Sequence, residues 1–159
     1  KQKLGVVFAD SGFSMYLTAA GVANIMKSIY PDFDREKFLQ QCRRFNLPTD
    51  KKIKEFSTGM KAKFKVLAAL SHKAELLILD EPTRGIDVGT KVDIQKLVLK
   101  LASEGMSVTF ISSETDEMLR TCSRLVVMRD RKVVGELSGE DLTQTKIMST
   151  IAGGESKHE

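Results

Sequence analysis

Two adjacent carboxylates, Asp80 and Glu81, follow an apolar run and have the residue types for metal-assisted hydrolysis. The run Leu76–Leu79 is continuously apolar, which is typical of a parallel strand covered on both faces. Because neighbouring strand residues point to opposite sides, the two acids should have different roles. The pattern predicts that one faces a metal ion at the carboxyl edge of the sheet and the other faces a water molecule. Two surface acids that merely end a strand are the alternative.

A second candidate site is the segment Phe56–Met60, whose Ser57 stands 23 residues before Asp80. The apolar periodicity that follows predicts a helix beginning at this serine. A hydroxyl with glycine-exposed backbone N–H groups at a helix N-terminus forms an anion site, because unpaired donors and the helix dipole both favour phosphate. The alternative is that Ser57 is an ordinary N-cap.

Helical periodicity predicts three helices between the first strand, Leu4–Phe8, and the apolar run. They are expected to begin at Thr18, Asp34 and Ser57, and to end before Pro31, before Pro48 and near Lys73. The first is predicted to have one apolar face, which consists of Val22, Ile25, Met26 and Ile29.

The second half of the chain alternates strands with helices. Strands are predicted at Leu76–Leu79, Met106–Ser112, Leu125–Met128 and Val133–Val134. Helices are expected from a Thr90 cap to Gly105, from Glu114 to Thr121 and from about Asp141 to Ala152. This alternation predicts an α/β fold with an open, mostly parallel sheet and helices on both faces.

Composition excludes several classes of protein. The 159 residues, 42% hydrophobic and 29% charged, are typical of one globular domain with a real core. Cys42 and Cys122 are 80 residues apart without metal-ligand spacing, which excludes a zinc site and a disulfide framework and predicts reduced thiols. Apolar runs of four to five residues are too short for a membrane span. The net charge of +4 does not by itself indicate nucleic acid.

Together the motifs resemble those of ATP-binding cassette (ABC) ATPases. Phe56–Met60 is similar to the family's signature motif LSGGQ, and Leu76–Glu81 is similar to its Walker B segment at the family's spacing. Thr83–Asp87 looks like the D-loop, and the strand ending Phe110–Ser113 stands where the family has its switch histidine. The resemblance covers residues 1–153 and implies a P-loop NTPase-like fold with a helical subdomain.

The resemblance also implies roles for individual residues. Asp80 would hold Mg²⁺ and Glu81 would be the general base for ATP hydrolysis. Asp87 would communicate between two nucleotide sites, and the alternative is a carboxylate at a helix start. The signature-like residues would clamp the γ-phosphate of ATP held by a second cassette subunit in a head-to-tail dimer; they are Ser57, Thr58, Gly59 and Met60.

By the same resemblance the chain divides into four parts. Residues 1–17 would be a strand with a Q-loop-like segment, and residues 18–73 a helical signature subdomain, of which residues 18–56 would touch transmembrane permease subunits. Residues 74–153 would be the catalytic-core part, followed by a polar tail, 154–159. The expected protein is cytoplasmic, peripheral to the inner face of a membrane, and couples ATP hydrolysis to transport.

The sequence departs from the family pattern at several positions. It contains no GxxxxGK[ST], so the Walker A half is expected to be missing and the isolated chain to be inactive. With no initial Met, the chain is expected to be part of something larger. Ala9 or Asp10 replaces the glutamine expected after the first strand, and Glu114 occupies the switch-histidine position. Thr58 and Met60 replace a glycine and a glutamine.

Two further questions stay open at this point. Residues 1–82 look most like small-molecule or peptide exporters, whereas 83–153 look like the second, often degenerate cassette of sugar importers, so the chain is either composite or one sequence with mixed resemblance.

The alternatives to an ATPase are a non-catalytic interaction module and a nucleic-acid-associated cassette protein. Six lysines between Lys51 and Lys65 suggest the latter, but nucleic acid is the less expected partner, because a solvated helix face explains such a charge run more simply.

Overall fold

A computed structural model describes residues 3–8, 12–71 and 74–153. Ala9 and Asp10, which replace the expected glutamine, lie outside the described residues. So do the predicted helix end near Lys73 and the polar tail 154–159. The chain forms two compact units, residues 1–111 and residues 112–159, and the four-part division expected from the sequence stays a prediction.

The first unit contains a three-stranded parallel sheet, which confirms the predicted α/β class. Its strands lie in the order β1-β2-β3, with Val7 paired to Leu79 and Leu79 to Phe110. The elements along the chain are β1 (Leu4–Val7), α1 (Ala19–Ile29), α2 (Arg35–Arg44), a 3₁₀ turn (Ile53–Glu55), α3 (Thr58–Leu70), β2 (Leu76–Asp80), α4 (Val88–Ser103) and β3 (Ser107–Ile111).

The helices α1, α2 and α3 share a core that is organised around Phe64. Its ring is 1% exposed and contacts three other phenylalanine rings at centroid distances of 5.5, 5.8 and 5.9 Å. These rings are Phe13, Phe38 and Phe56. Edge-on contacts of this kind add to the stabilisation from apolar burial.

The predicted apolar face of α1 is right for Val22 and Met26 and wrong for the two isoleucines. Ile25 and Ile29 are 44% and 58% exposed, whereas the small residues at 19 and 23 are completely buried. These alanines allow neighbouring chain segments to approach closely, so the buried arc is centred on their side of the helix. The exposed isoleucines therefore lie outside the helical core.

Helix α3 also covers β1 at very close range. A Cβ atom added to Gly5 would lie 2.5 Å from the carbonyl oxygen of Ala69, a distance that no side chain tolerates. Gly5 is therefore required by the approach of α3 to the strand. The helix connects the helical core to the sheet.

The second unit is a small α/β arrangement. It contains α5 (Thr115–Thr121), β4 (Arg124–Arg129), β5 (Lys132–Ser138), a 3₁₀ turn (Gly139–Asp141) and α6 (Gln144–Ala152). Strands β4 and β5 are antiparallel and are joined by Asp130 and Arg131, both with positive φ, as two-residue hairpin turns require. Its hydrophobic core includes the buried residues Leu125, Val127, Leu137 and Ile147.

The cysteines agree with the predicted reduced state. Cys42 and Cys122 are both free, and Cys42 is fully buried. Burial raises the pKa of the Cys42 thiol to about 12, so it stays protonated at neutral pH. Within the described ranges, no helix combines the length and apolarity that a membrane crossing requires.

Removing the N-cap of α1 should destabilise the protein measurably. The Thr18 hydroxyl accepts a hydrogen bond from the Gly21 N–H at 3.0 Å, so Thr18→Ala leaves that donor without its cap. We expect a loss of about 0.5–2 kcal/mol in the free energy of unfolding, measured by urea denaturation. Ser28→Ala is the control, because its exposed hydroxyl only donates to the Ile25 carbonyl; a similar loss in both variants would contradict the capping role.

Candidate functional site

The acidic strand end is an abrupt change of backbone direction. Strand β2 ends at Asp80, and Glu81 has a φ of 47°, in the left-handed region that non-glycine residues rarely adopt. Its N–H donates to the Ile111 carbonyl at 2.9 Å, and its carbonyl accepts from the Arg84 N–H at 3.2 Å. Backbone hydrogen bonds on both sides therefore hold Glu81 in an unusual conformation, as is common at functional sites.

The two carboxylates lie in different surroundings. By strand alternation, Asp80 is on the face opposite to the buried Leu77 and Leu79. Glu81 lines an open cleft of about 740 Å³, whereas Asp80 does not. The cleft, here called the Glu81 cleft, also includes Thr58. The two acids therefore face different surroundings, and their different roles stay a prediction.

The Glu81 cleft has a cationic wall. Three basic residues line it together with the one carboxylate; they are Lys61, Lys65 and Arg84. Because positive charges outnumber negative ones in this cleft, anions are attracted toward the strand end. Both lysines come from the first two turns of α3, so the helix that follows the signature-like segment supplies much of this charge.

Ser57 is the N-cap of α3. Its exposed hydroxyl accepts from the Met60 N–H at 3.1 Å, so the alternative of an ordinary capping serine describes its contact in this structure. The N–H groups of Thr58 and Gly59 belong to the first helical turn and have no acceptor within the helix. Capping by Ser57 is therefore compatible with binding of an anion by the N–H groups of Thr58 and Gly59.

Gly59 is buried, and its contact explains why a glycine is needed. A Cβ atom built on Gly59 would lie 2.7 Å from the Thr90 hydroxyl oxygen and 2.9 Å from its methyl carbon. The start of α3 thus rests against the first turn of α4. Gly59 was expected to expose backbone N–H groups to phosphate, and its contact with Thr90 was not predicted.

Asp87 is the residue that caps α4, so the predicted Thr90 cap is wrong. The Asp87 carboxylate accepts from the Thr90 N–H at 2.9 Å and from the Thr90 hydroxyl at 2.7 Å. Asp93, three residues after Thr90, forms an ion pair with Lys63 of α3 at 2.5 Å. Asp87 is the better cap because its short acceptor side chain can reach the N–H three residues later while its own backbone stays extended.

Asp87 should make the stability of α4 depend on pH in the acid range. The hydrogen bonds from the Thr90 hydroxyl and N–H lower the pKa of the Asp87 carboxyl below its usual value. A lowered pKa means that the stabilisation is complete above the unfolded-state pKa, near 3.9, and is lost as the pH falls through the folded-state pKa. We expect the stability difference between the parent and Asp87→Ala to shrink on acidification; a difference that is constant between pH 6 and pH 2 would contradict this cap.

The second unit holds Glu114, the residue predicted at the switch position. Glu114 is exposed, immediately precedes α5, and donates its N–H to the Ser112 hydroxyl oxygen at 3.1 Å. The same hydroxyl donates to Glu117 at 2.9 Å. Glu117 is only 3% exposed and was not singled out in the sequence, because glutamate is rarely buried and no local pattern marks it.

The carboxylate of Asp80 at the end of β2 fits Mg²⁺ better than it fits a metal ion that is held by protein ligands alone. Among the described residues there is no cluster of three or more His, Cys, Asp or Glu side chains that could hold a metal ion. Mg²⁺ commonly keeps several waters and uses one or two carboxylates together with substrate phosphates. A single carboxylate at the sheet edge, Asp80, is compatible with that mode.

Four of the six lysines near the signature-like segment lie in three different surroundings. Lys63 is paired with Asp93 across to α4, whereas Lys61 and Lys65 line the Glu81 cleft. Lys54 lies over the ring of Tyr16 at 5.4 Å from its centroid. These four charges therefore do not form the continuous basic stripe that is typical of nucleic-acid binding.

The first unit therefore contains three of the predicted motif segments, namely the start of α3, the end of β2 and the start of α4. A search of protein families finds that the family model described as "ABC transporter" matches residues 1–84, which is more than half of the chain. The chain belongs to the ABC transporter family.

Sugar-import proteins are among its similar relatives. The fructose import ATP-binding protein FruK of Bifidobacterium longum is 42% identical over 118 residues, covering 74% of this chain and 23% of that protein. The ribose import ATP-binding protein RbsA of Caldanaerobacter subterraneus is 37% identical over 129 residues, covering 78% and 26%. The chain thus spans about a quarter of the length of these curated relatives. The chain has 82 residues up to Pro82 and 77 residues after it. Because both matches are longer than either part, each relative matches this chain on both sides of residue 82, where the two parts of a composite chain would join.

Two solved structures share the fold. A metal-chelate type ABC transporter in an inward-facing conformation has a TM-score of 0.80 at 15% identity, over 94% of this chain and 64% of that chain. The dimeric ATP-binding cassette MJ0796 in a post-hydrolysis state, bound to ADP and Pi, has a TM-score of 0.73 at 23% identity, over 86% and 62%. At these identities the likeness establishes the ABC cassette fold.

Proposed function

We propose that this chain is part of the ATP-hydrolysing subunit of an ABC transporter that imports a monosaccharide. The observation that carries the ATPase role is the end of β2, where Glu81 is held in a left-handed conformation and faces a cationic cleft. The sugar class rests on the names of the relatives, which import fructose and ribose.

Glu81 would act as the general base. One of its carboxylate oxygens would accept the proton of a water molecule as that water attacks the γ-phosphorus of ATP, and the bond to the ADP oxygen would break. The hydrogen bonds at its backbone N–H and carbonyl hold the backbone from which this side chain extends. Asp80 would hold Mg²⁺, which supplies charge neutralisation at the phosphates.

The signature-like start of α3 would bind ATP held by a second cassette. The first-turn N–H groups of Thr58 and Gly59 and the hydroxyl of Ser57 would face the γ-phosphate, with Met60 anchoring the turn in the helical core. Asp87 would communicate with the partner site, and Glu114 would stand near the phosphate in place of a histidine. These roles follow the family resemblance residue by residue.

The permease would dock on exposed apolar residues near α1. Four large hydrophobic side chains between residues 15 and 29 are 41% to 72% exposed; they are Met15, Tyr16, Ile25 and Ile29. An exposed apolar group of this kind is typical of an interaction surface. A membrane-spanning partner would place the subunit at the inner face of a membrane.

Deleting the gene tests the proposal directly. We expect the deletion to reduce uptake of at least one radiolabelled sugar from a panel of ribose, xylose and fructose, and expression of the full-length gene product to restore it. Unchanged uptake of all three sugars by the deletion strain would contradict the sugar class. Failure of the purified full-length gene product, with its permease, to hydrolyse Mg-ATP would contradict the ATPase role itself.

A further inference from the structure

The first turn of α4 touches two of the proposed functional segments through one side chain. The Thr90 hydroxyl donates to the Asp87 carboxylate at 2.7 Å. The same side chain occupies the space beside Gly59, where a Cβ atom would lie 2.7 to 3.1 Å from three Thr90 atoms. Thr90 therefore contacts the D-loop-like acid and the signature-like glycine at the same time.

The capping of α4 does not require the Thr90 hydroxyl. The Thr90 N–H already donates to the other Asp87 oxygen at 2.9 Å, which is the standard N-cap hydrogen bond. The hydroxyl adds a second bond that restrains rotation of the carboxylate about its side chain. With both oxygens engaged, the direction of the exposed Asp87 carboxylate is set by Thr90.

The contact with Gly59 is reinforced one turn further along both helices. There the ion pair between Lys63 of α3 and Asp93 of α4 has a length of 2.5 Å, and the Lys63 side chain is only 16% exposed. Because a partly buried ion pair resists separation more than an exposed one does, the two helix starts are held together at two levels. A displacement of the start of α3 would therefore press on Thr90.

We propose that Thr90 is a positioning residue that sets the orientation of the Asp87 carboxylate according to the position of the signature-like start of α3. This inference rests on the proposed function, since it links a phosphate-binding helix start with an acid that would face the partner cassette. Thr90 is not among the residues proposed to bind nucleotide or Mg²⁺. It acts through the contacts on its two sides.

The link to Asp87 is tested on this chain without any nucleotide. NMR of the ¹³C-labelled Asp87 carboxyl follows its titration in the parent, Thr90→Val and Thr90→Ser. Valine keeps the shape but has no hydroxyl, so the pKa of Asp87 should rise in Thr90→Val and stay at the parent value in Thr90→Ser. Equal titration midpoints in all three proteins would overturn the proposal. Lys63, whose positive charge also lowers the pKa of Asp87, is unchanged in each of them.

The link to Gly59 is tested by a double-mutant cycle in urea denaturation. Gly59→Ala should lower the urea midpoint in the parent, because its methyl group meets the Thr90 hydroxyl and methyl. The same change should lower the midpoint less in a Thr90→Ala background, where those two atoms are gone. Equal decreases in both backgrounds would overturn the contact between the two helix starts.

The functional consequence is measured in the full-length gene product with its permease. Thr90→Val should lower kcat for ATP by about 3- to 10-fold, the worth of one hydrogen bond, with KM nearly unchanged, and Thr90→Ser should stay within about twofold of the parent. Loss of kcat in both variants alike, or in neither, would overturn the positioning role. If the parent hydrolyses no ATP, the proposed function fails, whereas the titration and the double-mutant cycle still decide the two contacts.

Discussion

Glu81→Gln in the full-length gene product is expected to lower ATP turnover by about 10² to 10⁴, the usual contribution of a positioned general base. Glutamine keeps the size and hydrogen bonding of the side chain but cannot take the proton of the attacking water. Nucleotide affinity should therefore stay nearly unchanged. The measurement is steady-state ATPase activity together with equilibrium binding of Mg-ATP.

The matched control for this experiment is Glu104→Gln. Glu104 is exposed at the end of α4 and pairs only loosely with Lys100, at 3.8 Å, so its loss of charge should leave turnover unchanged. Asp80→Asn provides the contrast, because it should shift the Mg²⁺ concentration needed for activity as well as the rate. If Glu81→Gln hydrolyses ATP as fast as the parent, Glu81 is not the base.

Ser57→Arg should prevent ATP-dependent closure of two cassettes. The arginine replaces the cap of α3 and places a bulky side chain at the proposed γ-phosphate site, so two or more phosphate hydrogen bonds of about 1.5–3 kcal/mol each are lost. We expect the dimer to weaken by at least about 10². Light scattering with ATP measures this in a Glu81→Gln background, where hydrolysis does not reopen the dimer.

Ser103→Arg is the control for closure. Ser103 is exposed at the end of α4, and its hydroxyl donates to the backbone carbonyl oxygen of Lys100 at 2.7 Å. An arginine there adds the same charge and bulk away from the start of α3. The closed dimer should persist in this variant, and an unchanged dissociation constant in Ser57→Arg would contradict the phosphate-binding role of the helix start.

Several features of this protein were determined by its sequence alone. The helix starts at Thr18, Asp34 and Ser57 and the strand before Asp80 were predicted correctly. Each depends on contacts within a few residues or on one apolar run, and such local preferences are visible in the sequence. The motif spacing also indicated the ABC family, which the family match confirms.

Tertiary structure decided the rest. The burial of Glu117, the exposure of Ile25 and the left-handed backbone of Glu81 have no distinctive local pattern, because each depends on which segment packs or pairs beside the residue. The contact between Gly59 and Thr90 joins helix starts about 30 residues apart, as does the ion pair next to it. A glycine after a capping serine is compatible with either phosphate binding or close packing, and only the position of α4 shows that a neighbouring side chain fills the space.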